Sequence, residues 1–286
     1  MISNQSGKTK APLKERSQQF LSRFTSMFIK RPLSYLKMIL IITGSFVWLL
    51  VSMIAVYFYF IFNQVPDLKN VEFQQLRELG VNSVLEKIDS RSKRAEYHWV
   101  RLADVNRDLL YAVVMSEDGL FFEHQGINWD ALITAIGENI KRRQLSFGGS
   151  TISQQVAKNV FIRSSTKSLH RKLIEFFVTR ELEAQLTKNE ILELYLNVAE
   201  FGPDIYGVSH AAKYYFSKPV GQINAAEGAF LALMLPSPRK YHYSIFQNQN
   251  LVPRHQRKLK RVLSDMLYKE YISPSQYRRY LNWQYF

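Results

Sequence analysis

The chain of 286 residues contains no cysteine. This absence excludes disulfide bonds and zinc sites with thiolate ligands, so the fold has to be stabilised by side-chain packing. The few histidines do not replace the missing ligands, because no second histidine stands at helical ligand spacing from His124. We therefore predict no metal site built on cysteine or histidine.

Charged residues are missing from residues 38–66, which contain no Asp, Glu, Lys or Arg. A membrane-spanning helix needs about 20 apolar residues, and this stretch is longer than the core of a signal peptide. No small-residue cleavage site follows it, and aromatic residues crowd its far end, as they do at membrane interfaces. We predict a transmembrane helix at residues 38–62.

Acidic residues are scarce before this helix, where residues 1–37 hold eight basic residues against Glu15 alone. The positive-inside rule predicts that this basic tail is cytoplasmic and that the rest of the chain lies outside. The whole chain has a net charge of +14. Because most of the chain is expected to lie outside the cytoplasm, we exclude nucleic acid as a partner and expect anionic lipid headgroups or a phosphorylated substrate.

Alternating patterns typical of strands are also scarce, and we find no internal repeat. Helix starts are instead well marked by capping boxes, at Thr151 with Gln154, Thr187 with Glu190, and Asn224 with Glu227. Pro236 should end the last of these helices. We predict a mainly α domain at residues 111–286, with residues 63–110 as a connector.

The segment "SEDGLFFEHQG" places two acids, Glu117 and Asp118, directly before an apolar aromatic run. Burial against Leu120 and Phe121 would raise the pKa of Glu117 and suit it to general acid–base catalysis. Taken alone, the pair also fits a solvated helix end or a structural salt bridge. His124 alone is typical of a structural, hydrogen-bonded histidine.

The segment "GGSTISQQVAKN" predicts a tight glycine turn followed by a helix whose first N–H groups are free to bind an anion. Thr151, Gln154 or Gln155, and Lys158 recur at helical spacing. Hydroxyl, amide and ammonium groups on one face suit phosphate oxygens and sugar hydroxyls. The competing interpretation is an ordinary capped helix with a solvated polar face.

The segment "HRKLIEFFVTRELE" places Arg171 four residues before Glu175, which is the spacing of an ion pair on one helix face. The alternative is that Glu175 is a second functional carboxylate, flanked by Arg171 and Lys172 in a cationic cleft. The following segment "TKNEILELYLN" is structural when it is taken alone, since its apolar residues have the spacing of a helix core.

Five motifs occur in order, namely "EDGLFFEHQG", "GGSTISQQVAKN", "RKLIE", "KNEILELYLN" and "EGAFLALMLPSP". Together they resemble the family-51 peptidoglycan glycosyltransferases, and most closely the monofunctional members. The resemblance implies a mainly α fold, with a lysozyme-like helical head and a small membrane-abutting jaw, preceded by one transmembrane helix. We place the jaw at about residues 127–147. The residues expected to face lipid are Trp129, Leu132, Ile133 and Ile136.

The resemblance further implies lipid II as substrate, polymerised into β-1,4-linked glycan with release of polyprenyl pyrophosphate and inversion at the reacting carbon. Glu117 is expected to be the general base, and Glu175 the second catalytic carboxylate, which positions the acceptor or holds a divalent ion. The expected substrate-binding residues are Ser150, Thr151, Gln154, Gln155, Lys158, Asn159, Arg171, Lys172, Lys188 and Asn197.

No cofactor is certain from the resemblance, which leaves open a Mg²⁺ or Mn²⁺ ion at the pyrophosphate. The expected partners are lipid II, the growing strand, membrane lipids and other wall-synthesis proteins, at the bacterial inner membrane. Two alternatives stay in view, a lysozyme-like glycan hydrolase and an inactive scaffold of wall assembly. The four residues from Ser164 to Lys167 fit the S-x-x-K motif of penicillin-binding transpeptidases, but no S-D-N or K-T-G follows, so we interpret this match as chance.

Overall fold

The computed structural model describes residues 18, 20–26, 32–89, 91–142, 149–162 and 168–286. The chain divides into two compact units, Met1–Phe60 and Ile61–Phe286. The predicted tail, residues 1–37, lies largely outside the described residues, as does the segment from Ser164 to Lys167. The cytoplasmic location of the tail remains a prediction.

Helix α1 (Pro32–Phe62) dominates the first unit. It begins at Pro32 rather than at the predicted residue 38, because proline fits the first helical position and the mixed residues 33–37 before the apolar run are also helical. Among the described residues it is the one helix long and apolar enough to cross a membrane, and none of its apolar window is buried in protein. These properties fit a single membrane anchor.

Helices build the second unit, which confirms the mainly α prediction. The α-helices described there are α2 (Phe73–Leu85), α3 (Arg91–Glu96), α4 (Arg107–Glu117), α5 (Trp129–Arg142), α6 (Ile152–Val156), α7 (Leu169–Gln185), α8 (Lys188–Val198), α9 (Val208–Phe216), α10 (Ala225–Met234), α11 (Pro238–Tyr241), α12 (Pro253–Tyr268) and α13 (Pro274–Leu281). Shorter helical turns are the 3₁₀ turns Leu102–Asp104 and Val220–Gln222 and the π-helical turns Ala157–Phe161 and His242–Gln247.

The three capping boxes are confirmed, because in each the N-cap side chain and the third helical residue bond reciprocally to main-chain N–H groups. Helix α10 ends at Met234, two residues before Pro236, as predicted. These local signals fix where α6, α8 and α10 begin.

Helix α10 is the centre of the core, since every one of its residues is buried. It packs against α4 and α12. A Cβ atom on Gly228 would lie 2.8 Å from the Cα atom of Leu109, so only glycine allows α4 to approach this closely. This packing places the C-terminal end of α4, and with it Glu117, beside α12.

The predicted connector, residues 63–110, belongs to the same compact unit as the helices that follow. Helix α2 packs against α8 through buried residues such as Leu76 and Val84. One short hairpin, β1 (Glu200–Gly202) and β2 (Ile205–Tyr206), was not predicted, because each strand is too short to show alternation. Asp204 turns the hairpin with a φ of 58°.

Candidate active site

Glu117 is the last residue of α4 and lies in a cleft of about 300 Å³. The Nε2 group of Gln155 donates a hydrogen bond of 3.2 Å to Oε2 of Glu117. Burial raises the pKa of the Glu117 carboxyl and the neighbouring Asp118 adds to this, whereas Lys258 and the hydrogen bond from Gln155 lower it. The predicted direction of the pKa shift is therefore confirmed, and it suits a general base.

The predicted apolar neighbours of Glu117 account for its burial only in part, because Leu120 lines the same cleft and Phe121 does not. Leu120 and Phe122 remain 40% and 43% exposed, and Phe121 is buried beneath the ammonium group of Lys188. Glu117 is half-buried at the edge of the packed helices α4, α10 and α12. Helix packing, which connects residues far apart in sequence, therefore provides the rest of the burial.

Lys258 on α12 is a site residue that the sequence interpretation missed. Burial lowers its pKa, and the charge of Glu117 opposes that shift. The basic residues of this segment fit a solvated face, yet Lys258 follows buried His255 by three residues and precedes buried Val262 by four. This spacing places it at the edge of the apolar face and is the signal that could have found it.

Asp118 has a different environment from Glu117, because its side chain is only 3% exposed and both of its carboxylate oxygens accept hydrogen bonds. Its carboxylate accepts hydrogen bonds from Nε2 of His124, at 2.9 Å and 3.0 Å, and from the N–H of Ile152 at 3.0 Å. The N–H of Gly126 donates to Nδ1 of His124, which leaves the proton on Nε2. His124 is thus structural.

The prediction of free N–H groups at the start of α6 is wrong for three of these groups. The N–H of Ile152 is taken by Asp118, that of Gln154 by the Thr151 hydroxyl, and that of Thr151 by the Gln154 side chain. The carboxylate of Asp118 and the side chains of the capping box are thus the acceptors for these N–H groups. Helix α6 therefore serves to attach the second motif to the first.

Thr151 and Gln154, both predicted to bind substrate, are buried in the structure. The hydroxyl of Thr151 donates a 2.6 Å hydrogen bond to the carbonyl of Gly126, although part of the residue still lines the cleft. Gln155 instead lies at the surface of the site and contacts Glu117. Of the three, Gln155 is the one that the structure brings to the carboxylate.

Three cations form a cluster beside the carboxylate, which we call the cationic cluster and define as Lys158, Arg171 and Lys172. Lys158 is exposed on the π-helical turn Ala157–Phe161, and Arg171 and Lys172 lie in the first turn of α7. Lys172 donates to the hydroxyl of Ser150 at 3.3 Å. The Nε atom of Arg171 is buried and has no hydrogen-bond partner within the described ranges.

Electrostatics connect the cationic cluster to both carboxylates. Partial desolvation lowers the pKa of Lys158, and the charge of Glu175 opposes this shift. Arg171 and Lys172 lower the pKa of Lys158 further, whereas Glu117 raises it. Glu175 is buried and pairs with Lys172, rather than with Arg171 as the four-residue spacing predicted. Lys172 can make this pair because residues three apart also share one helix face.

The remaining predicted contacts lie elsewhere. Asn197 is fully buried, and its side-chain amide holds the backbone of Val100 through two hydrogen bonds of 2.8 Å. Lys188 pairs with Glu183 at 2.7 Å and lies over the ring of Phe121. Asn159 lies next to Lys158 and presents its main-chain carbonyl to Lys87. The structure gives Asn197 and Lys188 structural partners and does not place them in the cleft with Glu117.

The cleft is lined by residues of α4, α5 and α12 and of the loops between helices. Its lining residues are Met115, Glu117, Asp118, Gly119, Leu120, Asn128, Ala131, Gly149, Ser150, Thr151, Asp265, Tyr268 and Lys269. Within the part of the chain that the structure describes, no three His, Cys, Asp or Glu side chains are grouped so that they could hold a metal ion. The divalent ion that the resemblance leaves open therefore remains a prediction.

Helix α5 carries the described part of the predicted jaw. Trp129 and Ile133 are 58% and 66% exposed, and Leu132 is half-buried. The side chain of Ile136 and residues 143–147 lie outside the described residues. An exposed apolar face of this kind is unusual in contact with water alone, and its contact with lipid remains a prediction.

Residues 82–267 match the profile of the family described as transglycosylase. Because this match covers more than half of the chain, the chain belongs to the transglycosylase family. The lysozyme-like helical fold expected from the motifs is thereby confirmed.

Curated relatives named biosynthetic peptidoglycan transglycosylase are similar to this chain. The protein of Pasteurella multocida is 45% identical over 51% of this chain and 59% of its own length. That of Nitrosomonas eutropha is 42% identical over 52% of this chain and 60% of its own length. That of Nitrosospira multiformis is 35% identical over 76% of this chain and 91% of its own length. The chain therefore spans about three fifths of the first two relatives and most of the third.

Proposed function

We propose that this protein is a peptidoglycan glycosyltransferase that polymerises lipid II into β-1,4-linked glycan. One observation carries the proposal, namely that Lys172 of the cationic cluster donates a hydrogen bond to Ser150, which lines the same cleft as Glu117. A carboxylate with a raised pKa and a cluster of cations thus belong to one site. The carboxylate is needed to take up a proton, and the cations are needed to stabilise a departing pyrophosphate. The curated relatives have a name of the same meaning.

The proposed reaction transfers a glycan from its pyrophosphate to the 4-hydroxyl of an incoming sugar. Glu117 takes the hydroxyl proton while the oxygen attacks the anomeric carbon from the face opposite the pyrophosphate, which inverts the configuration. The bond to the pyrophosphate oxygen breaks, and that group leaves with its electron pair. It needs charge stabilisation rather than protonation, and Lys158, Arg171 and Lys172 supply this.

Lys258 supports the proposed base. Its positive charge favours the ionised form of Glu117, so that a carboxylate whose pKa is raised by burial still accepts a proton at neutral pH. Gln155 donates to the same carboxylate and orients it. Glu175 pairs with Lys172, and its proposed role is to position that cation and the acceptor.

We also propose the topology that the chemistry requires. The basic tail would be cytoplasmic, α1 would cross the membrane once, and the second unit would face the extracytoplasmic space. The exposed apolar residues Trp129 and Ile133 would then contact lipid near a lipid-linked substrate. Proposed partners are lipid II, the growing strand, membrane lipids and other wall-synthesis proteins.

Two other functions are less consistent with the site. A lysozyme-like hydrolase acts on finished glycan, which contains no pyrophosphate, and would gain nothing from the cationic cluster. An inactive scaffold would have no need of a cluster of cations beside a carboxylate with a raised pKa. Unusual ionisation of this kind is concentrated at catalytic sites.

The test compares polymer formation from labelled lipid II with release of soluble fragments from finished glycan, using the parent chain and Lys158→Ala. We expect the parent to form polymer, and Lys158→Ala to lose about 10²-fold in turnover with weaker substrate binding, because a charge is removed at the leaving group. Fragment release that persists in Lys158→Ala, without polymer from the parent, would establish the hydrolase instead.

Lys213→Ala is a matched control, because Lys213 is an exposed lysine on α9 that does not line the cleft. Its activity should equal that of the parent. An equal loss in both variants would show that the defect of Lys158→Ala does not report on the cationic cluster.

A further inference from the structure

Lys87 connects the predicted connector to the active site. It follows the C-terminal end of α2, and its Nζ group donates a 2.7 Å hydrogen bond to the main-chain carbonyl of Asn159. The two residues are 72 positions apart in sequence. Asn159 lies in the π-helical turn Ala157–Phe161, directly after Lys158. A side chain from outside the five motifs therefore bonds to the turn that carries the central cation.

The turn lies at a helical end, where main-chain carbonyls accept hydrogen bonds from side chains. It ends at Phe161, and the backbone of Ile162, which follows, is extended. π-helical turns are rare and are concentrated at functional sites. The ammonium group of Lys87 satisfies one of these carbonyls and fixes the backbone beside Lys158.

Charge gives a second, independent argument. Burial and the charge of Lys158 lower the pKa of Lys87, whereas Glu200 and Glu86 raise it. Lys158 in turn already has Arg171 and Lys172 close by. Neighbouring cations repel one another, which costs free energy in the unliganded protein. A ligand with two or more negative charges removes this cost, so the accumulation of cations indicates a diphosphate.

We propose that Lys87 is a positioning residue of the anion site, which holds the Lys158 turn and adds its positive charge to the field that receives a diphosphate. The chemistry is that of a pyrophosphate, whether it is borne by a lipid-linked sugar or by the released lipid. The proposal rests on the proposed function only for the identity of that bearer. It makes the segment before the first motif part of the active site.

The experiment measures binding of inorganic pyrophosphate to the full chain in detergent by calorimetry. We expect Lys87→Met to weaken binding about fivefold, the effect of removing one partly exposed charge interaction. Lys87→Arg should restore binding, because it keeps both charge and donor. Lys87→Gln keeps a donor for the Asn159 carbonyl without the charge and should give an intermediate loss. Lys69→Met, which changes an exposed lysine of the same segment, should bind as the parent does.

The outcomes separate this proposal from the proposed function. If the parent binds pyrophosphate in a Lys87-dependent manner but forms no polymer from lipid II, the glycosyltransferase is wrong and the role of Lys87 stands. If Lys87→Met and Lys87→Gln both bind pyrophosphate as tightly as the parent, the proposal is overturned. Failure of the parent to bind pyrophosphate would overturn it as well. Should Lys87→Met not fold, the comparison of Lys87→Gln with Lys87→Arg decides.

Discussion

The two adjacent carboxylates of the first motif have opposite environments. Asp118 accepts hydrogen bonds from His124 and from the N–H of Ile152 and is buried. Glu117, one residue earlier, is half-buried, accepts from Gln155 and has a raised pKa. Saturated hydrogen bonding makes Asp118 structural, whereas incomplete compensation of burial suits Glu117 to its proposed role as a base. Two acids with the same charge thus differ in role because of what surrounds them.

The largest expected effect comes from Glu117→Gln, which keeps the shape and removes the proton acceptor. Turnover of lipid II should fall about 10²–10⁴-fold, as for the loss of a general base. Substrate binding should change little, because the cationic cluster is the proposed site of the pyrophosphate. Steady-state polymerisation and a separate binding assay check both quantities. Full activity in Glu117→Gln would remove this residue from the catalytic role.

The same variant should be more stable than the parent at neutral pH. A carboxyl whose folded-state pKa is raised gives stability below its unfolded pKa and loses it as pH rises through the folded pKa. Glutamine stays neutral, so the gain in Tm should appear at neutral pH and vanish in acid. Thermal unfolding at several pH values measures it, and a lower Tm for Glu117→Gln at neutral pH would contradict the burial argument.

Asp118→Asn should have the opposite effect on stability. An amide keeps one acceptor oxygen but turns an NH₂ group towards the N–H donors of His124 or Ile152, which leaves buried donors unsatisfied. We expect a loss of about 1–3 kcal/mol in the free energy of unfolding. Chemical denaturation measures this quantity, with Asp130→Asn as control, since Asp130 is exposed on α5. Equal stability of Asp118→Asn and the parent would show that Asp118 is not structural.

The smallest expected effect concerns the pH profile. Lys258→Met removes a cation that lowers the pKa of Glu117, so the acidic limb of the activity profile should move to higher pH. Lys260→Met changes an exposed lysine on the same helix and should leave the limb in place. Activity measured from acid to neutral pH distinguishes the two variants by the position of the acidic limb. An unchanged limb in Lys258→Met would separate Lys258 from the ionisation of Glu117.

Several features of the fold follow from short-range sequence signals. The starts of α6, α8 and α10 were predicted because a capping box involves residues only three apart. The apolar run that forms α1 was predicted because composition alone defines it. Much of the candidate site was also identified, since Glu117, Gln155 and Lys158 belong to motifs that the sequence displays in order.

The errors have a common physical origin in contacts between distant residues. Asn197 carries a motif position but holds the backbone of Val100, 97 residues away. The N–H group of Ile152, which was expected to be free at the start of α6, is bonded by Asp118, 34 residues away. No local pattern reports which group reaches such a donor first, because chain folding decides it.

The sequence by itself determined the helical class, the membrane anchor, the family and the identity of the candidate base, because these depend on composition, on spacing within one helix and on ordered motifs. Only the tertiary structure decided which groups bond to Asp118 and which lysines join the site. Lys258, near the end of the second unit in sequence, interacts with Glu117. Lys87, near the start of that unit, interacts with Lys158. Burial and charge at one point in space depend on every segment that packs there, and local sequence carries no record of the distant ones.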